Sequence, residues 1–479
     1  MATGDIRPGT IPKLVIYGIV LAVLWFVPPP AGVEPAGWRV LVVFAATIFS
    51  FILRPLPMGP MVLLGLVLLA ATNTLGATNK EAFRTALGGF GDSTVWLVVS
   101  ALLISGAVIQ TGLGRRIALT LISLLGRTTI GLGYAAAMAE LILGPVVPSN
   151  TARGGGVMAP IMDSLSQALG STPQRNPRAA GDYLMLCGAH VNLITAAMFL
   201  TGMAANPLVS KAALSILDVK LDWNRWLIGS IVPGLAGLAL LPAFLYWLAP
   251  PQRKDSVEAQ RTARDELRAM GNWSYGQIVT SGVFVLLLGL WTTRPWHQLE
   301  TALVALVGVV LLLLSGVQRW QEMASNAAAW DTLVWLGGLL TMATALESYG
   351  VVDWFARDIE QRVSGLPAVT AAVILALVYF YSMYGFSMLT GHIAALVGAF
   401  FLVAHGAAVP AMLIVALLAY FSNLCGCLTN YSTGPVIVYF GLGYVSAARW
   451  FKIGFLVSLF HLAVWLGIGL PYWKWLGWW

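Results

Sequence analysis

Residues 131–170 read GLGYAAAMAELILGPVVPSNTARGGGVMAPIMDSLSQALG, two apolar arms joined by a polar turn. The turn is Ser149-Asn150-Thr151-Ala152-Arg153, followed by Gly154-Gly155-Gly156. Irregular polar backbone persists at membrane depth only where it is buried in protein or lines a cavity. The stretch therefore reads as a re-entrant hairpin, entering and leaving on one side. A second region, 367–405, repeats the form with a polar turn between two apolar arms.

The surrounding chain fits this reading. Of its 479 residues, 58% are hydrophobic and 10% charged, and the mean hydropathy is +0.80. A soluble domain carries roughly 25% charged residues. Apolar runs near the roughly 20 residues needed to cross a bilayer recur from end to end. The runs at 12–28, 38–54, 58–74, 93–111, 181–206, 226–249, 274–292, 299–316, 331–347, 407–446 and 453–472 predict an all-α polytopic membrane protein. That is about eleven transmembrane helices beside the two hairpins. The first run is followed by Pro28-Pro29-Pro30 and has no small-residue cleavage site, so it reads as a membrane helix and not a leader. With the N-terminus in the cytoplasm, most of the 27 basic residues fall inside, including Arg7 and those of the long polar loop 251–273. Arg357 and Arg362 are among those that fall outside. This bias supports that orientation. The 19 Trp and 14 Tyr suit interfacial belts.

Composition also excludes functions. The net charge of +7 sits in short loops with no basic run interleaved with aromatics, which argues against nucleic acid. Cys187, Cys425 and Cys427 lie in apolar surroundings, so neither a disulfide framework nor a zinc site is expected. There is no H-E-x-x-H, G-x-S-x-G or phosphate-loop motif. No enzyme activity, cofactor or metal site is predicted.

The two halves resemble one another. Asp92-Ser-Thr-Val-Trp96 aligns with Asp331-Thr-Leu-Val-Trp335, and Ser149–Arg153 with Met388–His392, both at an offset of 239. Cys187-Gly188-x-x-x-Asn192 aligns with Cys425-Gly426-x-x-x-Asn430 at 238, which sets Thr195 opposite Thr433. The paired spans run in opposite directions, so the repeats are inverted. Inverted repeats with interrupted helices are the sequence signature of secondary transporters, whose substrate sits near the midplane at the repeat interface.

Candidate site residues follow from these positions. An arginine at membrane depth costs at least a few kcal/mol, so Arg153 needs a cavity or a partner. Its guanidinium suits a carboxylate. Pairing with Glu140 or Asp163 in the same hairpin is the alternative. His392 takes the mirrored position and reads either as a core hydrogen-bonded residue or as part of the site. Asn192, Thr195, Asn430 and Thr433 sit in spans interrupted by small and polar residues, either as helix-packing contacts or as substrate ligands.

At Pro148-Ser-Asn-Thr-Ala-Arg-Gly-Gly-Gly-Val157, Thr111-Gly-Leu-Gly114, Leu428-Thr-Asn-Tyr-Ser-Thr-Gly434 and Val438-Tyr-Phe-Gly-Leu-Gly-Tyr-Val445 the chain resembles the divalent anion/sodium symporter family. It looks most like the 2-oxoglutarate/malate translocators and citrate/succinate antiporters. The resemblance implies a homodimer in a lipid bilayer, here a bacterial inner membrane. It also implies a scaffold domain and a transport domain that moves as an elevator. On that scheme 1–92 are scaffold helices, and 93–250 form the first repeat. The cytoplasmic linker is 251–273, scaffold helices follow at 274–330, and 331–479 form the second repeat. The resemblance further implies that the hairpin tips contact substrate carboxylates: Ser149, Asn150 and Thr151 in the first, Thr390 in the second. Met388 and Leu389 depart from the family's Ser-Asn at the second tip and remove part of a sodium site. The expected function is exchange of a dicarboxylate or tricarboxylate for a counter-substrate, with Arg153 and a protonated His392 standing in for sodium. The alternatives are a sodium-coupled symporter, with sodium as the bound ion, or an anion channel.

Overall fold

The computed structural model describes residues 10–352, 354 and 367–479. The orientation readings for Arg7, Arg357 and Arg362 lie outside them. The described residues are helical throughout, with an isolated bridge between Thr128 and Asp255. Nine helices among them are long and apolar enough to cross a membrane. The chain is an all-α polytopic membrane protein.

The helices run α1 Thr10–Phe26, α2 Pro35–Leu53, α3 Met58–Ala71, α4 Asn79–Ala86, α5 Ser93–Gln110, α6 Leu113–Leu125, α7 Thr129–Leu143 and α8 Ala159–Ala168. There follow α9 Gly181–Met198, α10 Asn206–Leu217, α11 Trp223–Leu248, α12 Val257–Ala269, α13 Tyr275–Thr292, α14 Arg294–His297, α15 Thr301–Leu314, α16 Trp320–Ala324 and α17 Ala327–Ser348. The last are α18 Ala368–Tyr381, α19 Leu389–Gly406, α20 Ala411–Leu424, α21 Gly434–Gly441 and α22 Ala447–Val464. The helical path of α22 continues through a π-turn, Trp465–Gly469, to Trp475.

Their ends follow from local chemistry. Asp92 caps α5 by accepting from Thr94 N at 2.8 Å. Thr128 caps α7, and Asn326 caps α17. Such caps satisfy amide groups that a helix leaves without intrahelical partners. Gly112, at φ +70°, takes the left-handed turn between α5 and α6, a conformation glycine adopts without strain.

Two bundles form. In one, α5 packs on α15 and α17, and α3 on α17 and α2. In the other, α9 packs against α7, α8, α11 and α20, and α21 against the first hairpin. Every residue of α9 is buried, so it touches only protein. Helices α6 and α12 pack together beside the two bundles. The polar segment 251–273, expected as a linker, contains α12, whose buried side carries Ala259, Gln260 and Ala263.

The first hairpin enters and leaves on one face. Thr129 N donates to Lys254 O at 3.0 Å, while Gln252 N and Arg253 N donate to Arg178 O and Ala179 O. Arg253 also reaches Leu169 O. One strap, residues 252–254, thus holds both feet.

The repeat register needs correction. The hairpins match as expected: α7 and α18 begin 239 residues apart, and the tip N-caps Asn150 and Met388 lie 238 apart. The Cys-Gly-x-x-x-Asn match does not reflect structure. Cys187 is inside the continuous helix α9, whereas Cys425 begins the 3-10 turn after α20. The first break falls after Met198, beyond Asn192 and Thr195. Helices resume at Asn206 and Gly434, an offset of 228. Each resumption carries a proline, Pro207 and Pro435, at the start of the helix where a missing N–H costs nothing. Asp92 and Asp331 also differ in role: the first is an N-cap, the second lies inside α17.

In the first bundle, a Cβ at Gly338 would strike Val62 and lie 2.9 Å from Leu66 Cδ1. Gly338→Val is expected to cost about 1–3 kcal/mol by overpacking, read as a lowered Tm in detergent.

Candidate functional site

The first hairpin tip is fixed from beneath by a buried ion pair. Arg153 is fully buried, and its Nε donates to Glu140 Oε2 at 2.5 Å. Its Nη1 donates to Val147 O (2.6 Å) and Gly202 O (3.3 Å), and its Nη2 to Thr195 Oγ1 at 3.3 Å. Asn192 Nδ2 donates to the same Glu140 oxygen at 3.0 Å and to Asn150 O at 3.3 Å. Thr195 Oγ1 also lies 3.2 Å from Glu140 Oε2. The knot joins α7, the hairpin tip, α9 and the break after α9. A buried arginine bonded this way is paired and largely satisfied, as burial of a charge requires.

This corrects one expectation. Arg153 does not hold a free charge out to a substrate. Glu140 neutralises it, and the guanidinium ties the tip down. Asp163, the other candidate partner, instead accepts from Tyr444 OH at 2.6 Å.

His392 performs the matching task in the second hairpin. Its Nε2 lies 2.8 Å from Ser382 Oγ and 3.0 Å from Tyr379 O, bonds that join the two arms. Its ring packs on Tyr379 (centroids 4.4 Å apart) and edge-on to Phe386. The residue is fully buried, and its Nδ1 has no partner. An imidazolium here would carry a second N–H with no acceptor, so the geometry suits the neutral ring with Nε2 protonated. The expected protonated form finds no counter-charge at this position.

Above these anchors lies an accessible polar rim. Asn150 Nδ2 donates to Thr433 Oγ1 at 3.1 Å, which joins the first tip to the second break. Leu389 N donates to Ser432 O at 2.7 Å, joining the second tip to the same break. Thr151 is exposed, and Ser149, Thr390 and Asn430 are half-buried. Three helical segments begin here, at Thr151, Leu389 and Gly434, and none has a side-chain cap from its N-cap residue. Ser149 Oγ does accept from Ala152 N. The starts at Leu389 and Gly434 have no such cap, so the amides left free there and their positive dipole ends face whatever occupies the rim, which makes the rim suited to an anion.

The ten sequence-predicted residues thus divide. Ser149, Thr151, Thr390 and Asn430 lie on the rim, with Asn150 and Thr433 bonded just beneath it. Arg153, Asn192 and Thr195 form the buried knot, and His392 stands apart within its own hairpin. Sequence reading missed Asn206 and Asn423. Asn423 Nδ2 donates to Asn206 Oδ1 at 2.8 Å, and Asn206 Nδ2 donates to Ala196 O and Phe199 O. The pair links the first break to α20. The Asn206-Pro207 dipeptide was the available signal, since proline at a helix start marks where the chain resumes.

Comparison with known proteins agrees with this architecture. Residues 10–479 match the family model described as the sodium:sulfate symporter transmembrane region. The chain is 41% identical over 470 residues to the protein named "Putative malate transporter YflS" of Bacillus subtilis (strain 168), covering 98% of this chain and 97% of YflS. It is 37% identical over 460 residues to the chloroplastic dicarboxylate transporter 1 of Arabidopsis thaliana, covering 95% of this chain and 82% of that protein. The solved structure of the YdaH transporter of Alcanivorax borkumensis matches with a TM-score of 0.57 at 16% identity, over 88% of this chain and 97% of that one. That likeness is one of fold.

Two predictions test the knot and the rim. Glu140→Ala strands Arg153 in a fully buried position and is expected to cost about 3–5 kcal/mol. The double change Glu140→Leu with Arg153→Met should recover much of this loss, compared by thermal unfolding in detergent. A Cβ at Gly434 would collide with Thr151 Oγ1 and lie 2.6 Å from Thr151 Cγ2. Gly434→Ala should therefore displace the first tip and weaken anion binding at least tenfold, roughly one hydrogen bond's worth, measured by titration calorimetry.

Proposed function

Because the chain belongs to the sodium:sulfate symporter family, also called the divalent anion/sodium symporters, we propose that it exchanges small dicarboxylates across a bacterial inner membrane without sodium. Its N-terminus is in the cytoplasm, and it works as a homodimer. The substrate is of the malate, succinate or 2-oxoglutarate type, with citrate as a tricarboxylate candidate. The names of the relatives, malate and dicarboxylate transporters, support this class.

One observation carries the sodium-independent reading. The oxygens of Glu140, Val147, Thr195 and Gly202 converge as they would on a bound cation, and the Arg153 guanidinium already fills the space. A covalently attached cation holds the tip in shape, so no sodium is needed to build the site. Met388 and Leu389 at the second tip offer no side-chain oxygen for one either.

Exchange follows from the rim. A dicarboxylate accepts from the uncapped N-termini. An empty rim must keep water on those amides or leave them unpaired, and unpaired polar groups are costly away from water. The loaded bundle therefore crosses between faces faster than the empty one. The bundle holding both hairpins moves as a unit against α1–α5 with α13, α15 and α17.

Sodium symport is the second reading, and Glu140 favours it. Because Glu140 cancels Arg153, the knot fixes no net positive charge against a doubly negative substrate. Glu140 Oε1 and Asn192 Oδ1 are also buried without partners.

Labelled malate uptake into proteoliposomes separates the two. Uptake is expected to require internal succinate and to persist when sodium is replaced by choline. Uptake into vesicles without internal dicarboxylate, driven by a sodium gradient, would establish symport instead.

A further inference from the structure

Arg54 lies where α2 ends, at the opposite end of its bundle from Thr74 and Tyr349, which are joined by a 2.7 Å hydrogen bond. It is the C-cap of α2, with its N–H donating to Ser50 O at 2.7 Å and a left-handed backbone at φ +51°. A bulky residue in that region is uncommon and mildly strained. The conformation directs its side chain across the seam between the bundles. There Nη2 donates to Ser387 O at 3.1 Å, in the turn of the second hairpin.

Three features set this arginine apart. It is exposed. It forms no ion pair among the described residues. Asp331 is at the same end of the bundle, against Gly59, yet it does not pair with Arg54. The first turn of α19 also packs beside it: a Cβ at Gly391 would lie 3.8 Å from Phe51 Cβ. The start of α19 and the unpaired guanidinium therefore lie side by side at the seam.

We propose that Arg54 binds a substrate carboxylate, and that it does so only while the hairpin bundle stands at this end of its partner bundle. This rests on the rim being the substrate site. One Arg54 N–H is spent on Ser387 O, and the remaining donors of the fork are open to a carboxylate held at the first turn of α19, where Thr390 lies. The charge belongs to the stationary bundle, whereas the rim belongs to the moving one. At the far end of the cycle the rim leaves Arg54 behind. A ligand shifts a two-state equilibrium only by its differential affinity for the two states. Arg54 supplies such a difference, tightening binding on the face that carries α12 and not on the other.

The test uses the full-length protein in proteoliposomes of defined orientation, with malate presented to each face in turn. Arg54→Gln is expected to raise the KM on the α12-bearing face by roughly ten- to hundredfold, the range for a lost hydrogen bond to a charged group. The KM on the opposite face should change little. Arg54→Lys should retain much of the wild-type value and keep its sensitivity to added salt, since screening weakens an exposed charge. An equal rise on both faces, or none on either, would overturn the proposal. If Arg54→Gln does not fold, the unaltered protein decides: a KM that rises more steeply with added salt on the α12-bearing face than on the opposite one upholds the proposal, and equal slopes overturn it. Thr151→Val is run alongside. It should raise the KM from both faces, and if it alters neither, the rim reading itself fails.

Discussion

The ion pair between Glu140 and Arg153 is the constraint from which the rest of the site follows. Two opposite charges with no solvent exposure must satisfy one another and find hydrogen bonds for what remains. They do so by recruiting Thr195 and Asn192 from α9, the carbonyl of Val147 from the tip and the carbonyl of Gly202 from the break. The contacts with Val147 and Gly202 fix segments that lie outside the α-helices. The tip is thereby set at a height where Asn150 meets Thr433, and the second break is positioned by the first hairpin. A pair of this kind is weak evidence for stability in general. Here its value is geometric, because it holds irregular backbone in one arrangement inside a membrane.

The halves solve the same problem by different chemistry. The first hairpin is held by a charge pair, the second by an imidazole wedged between its arms by Tyr379 and Phe386. The mirrored placement of Arg153 and His392 in the sequence is therefore meaningful. Its meaning is that each fastens a tip, and neither presents a charge at the rim. The charge-bearing groups that do face the seam lie elsewhere. Lys211 pairs with Asp92 across it at 3.1 Å, beside a cavity of about 640 Å³, and Arg54 reaches across at the other end.

The fold was legible because apolar length and polar interruption obey strong physical limits. The hairpin turns at Ser149–Arg153 and near Met388 stand out against their arms, and their registers agree with the helix starts. The breaks were harder. Asn192 and Thr195 looked like an interruption by composition, yet α9 runs straight through them, because a helix with no lipid-facing side can bury polar groups against protein. The true breaks were written in Asn206-Pro207 and Gly434-Pro435. The separation of rim from knot could not be read from residue types, since Thr151 and Thr195 are chemically alike and differ only in placement, one exposed at the hairpin tip and the other buried within α9. Glu140 was visible as a possible partner of Arg153, but its role as the centre of the knot depends on three elements meeting.

The strap of residues 252–254 has a mechanical consequence. A flap needs a free edge, and the first hairpin has none: Thr129 is tied at one foot, and Leu169, Arg178 and Ala179 at the other. Its tip is riveted as well. Such a piece transmits load and does not bend, so in the proposed cycle it cannot act as a door. It resembles the wall of a lift car, carried whole from floor to floor, with opening and closing left to the shaft.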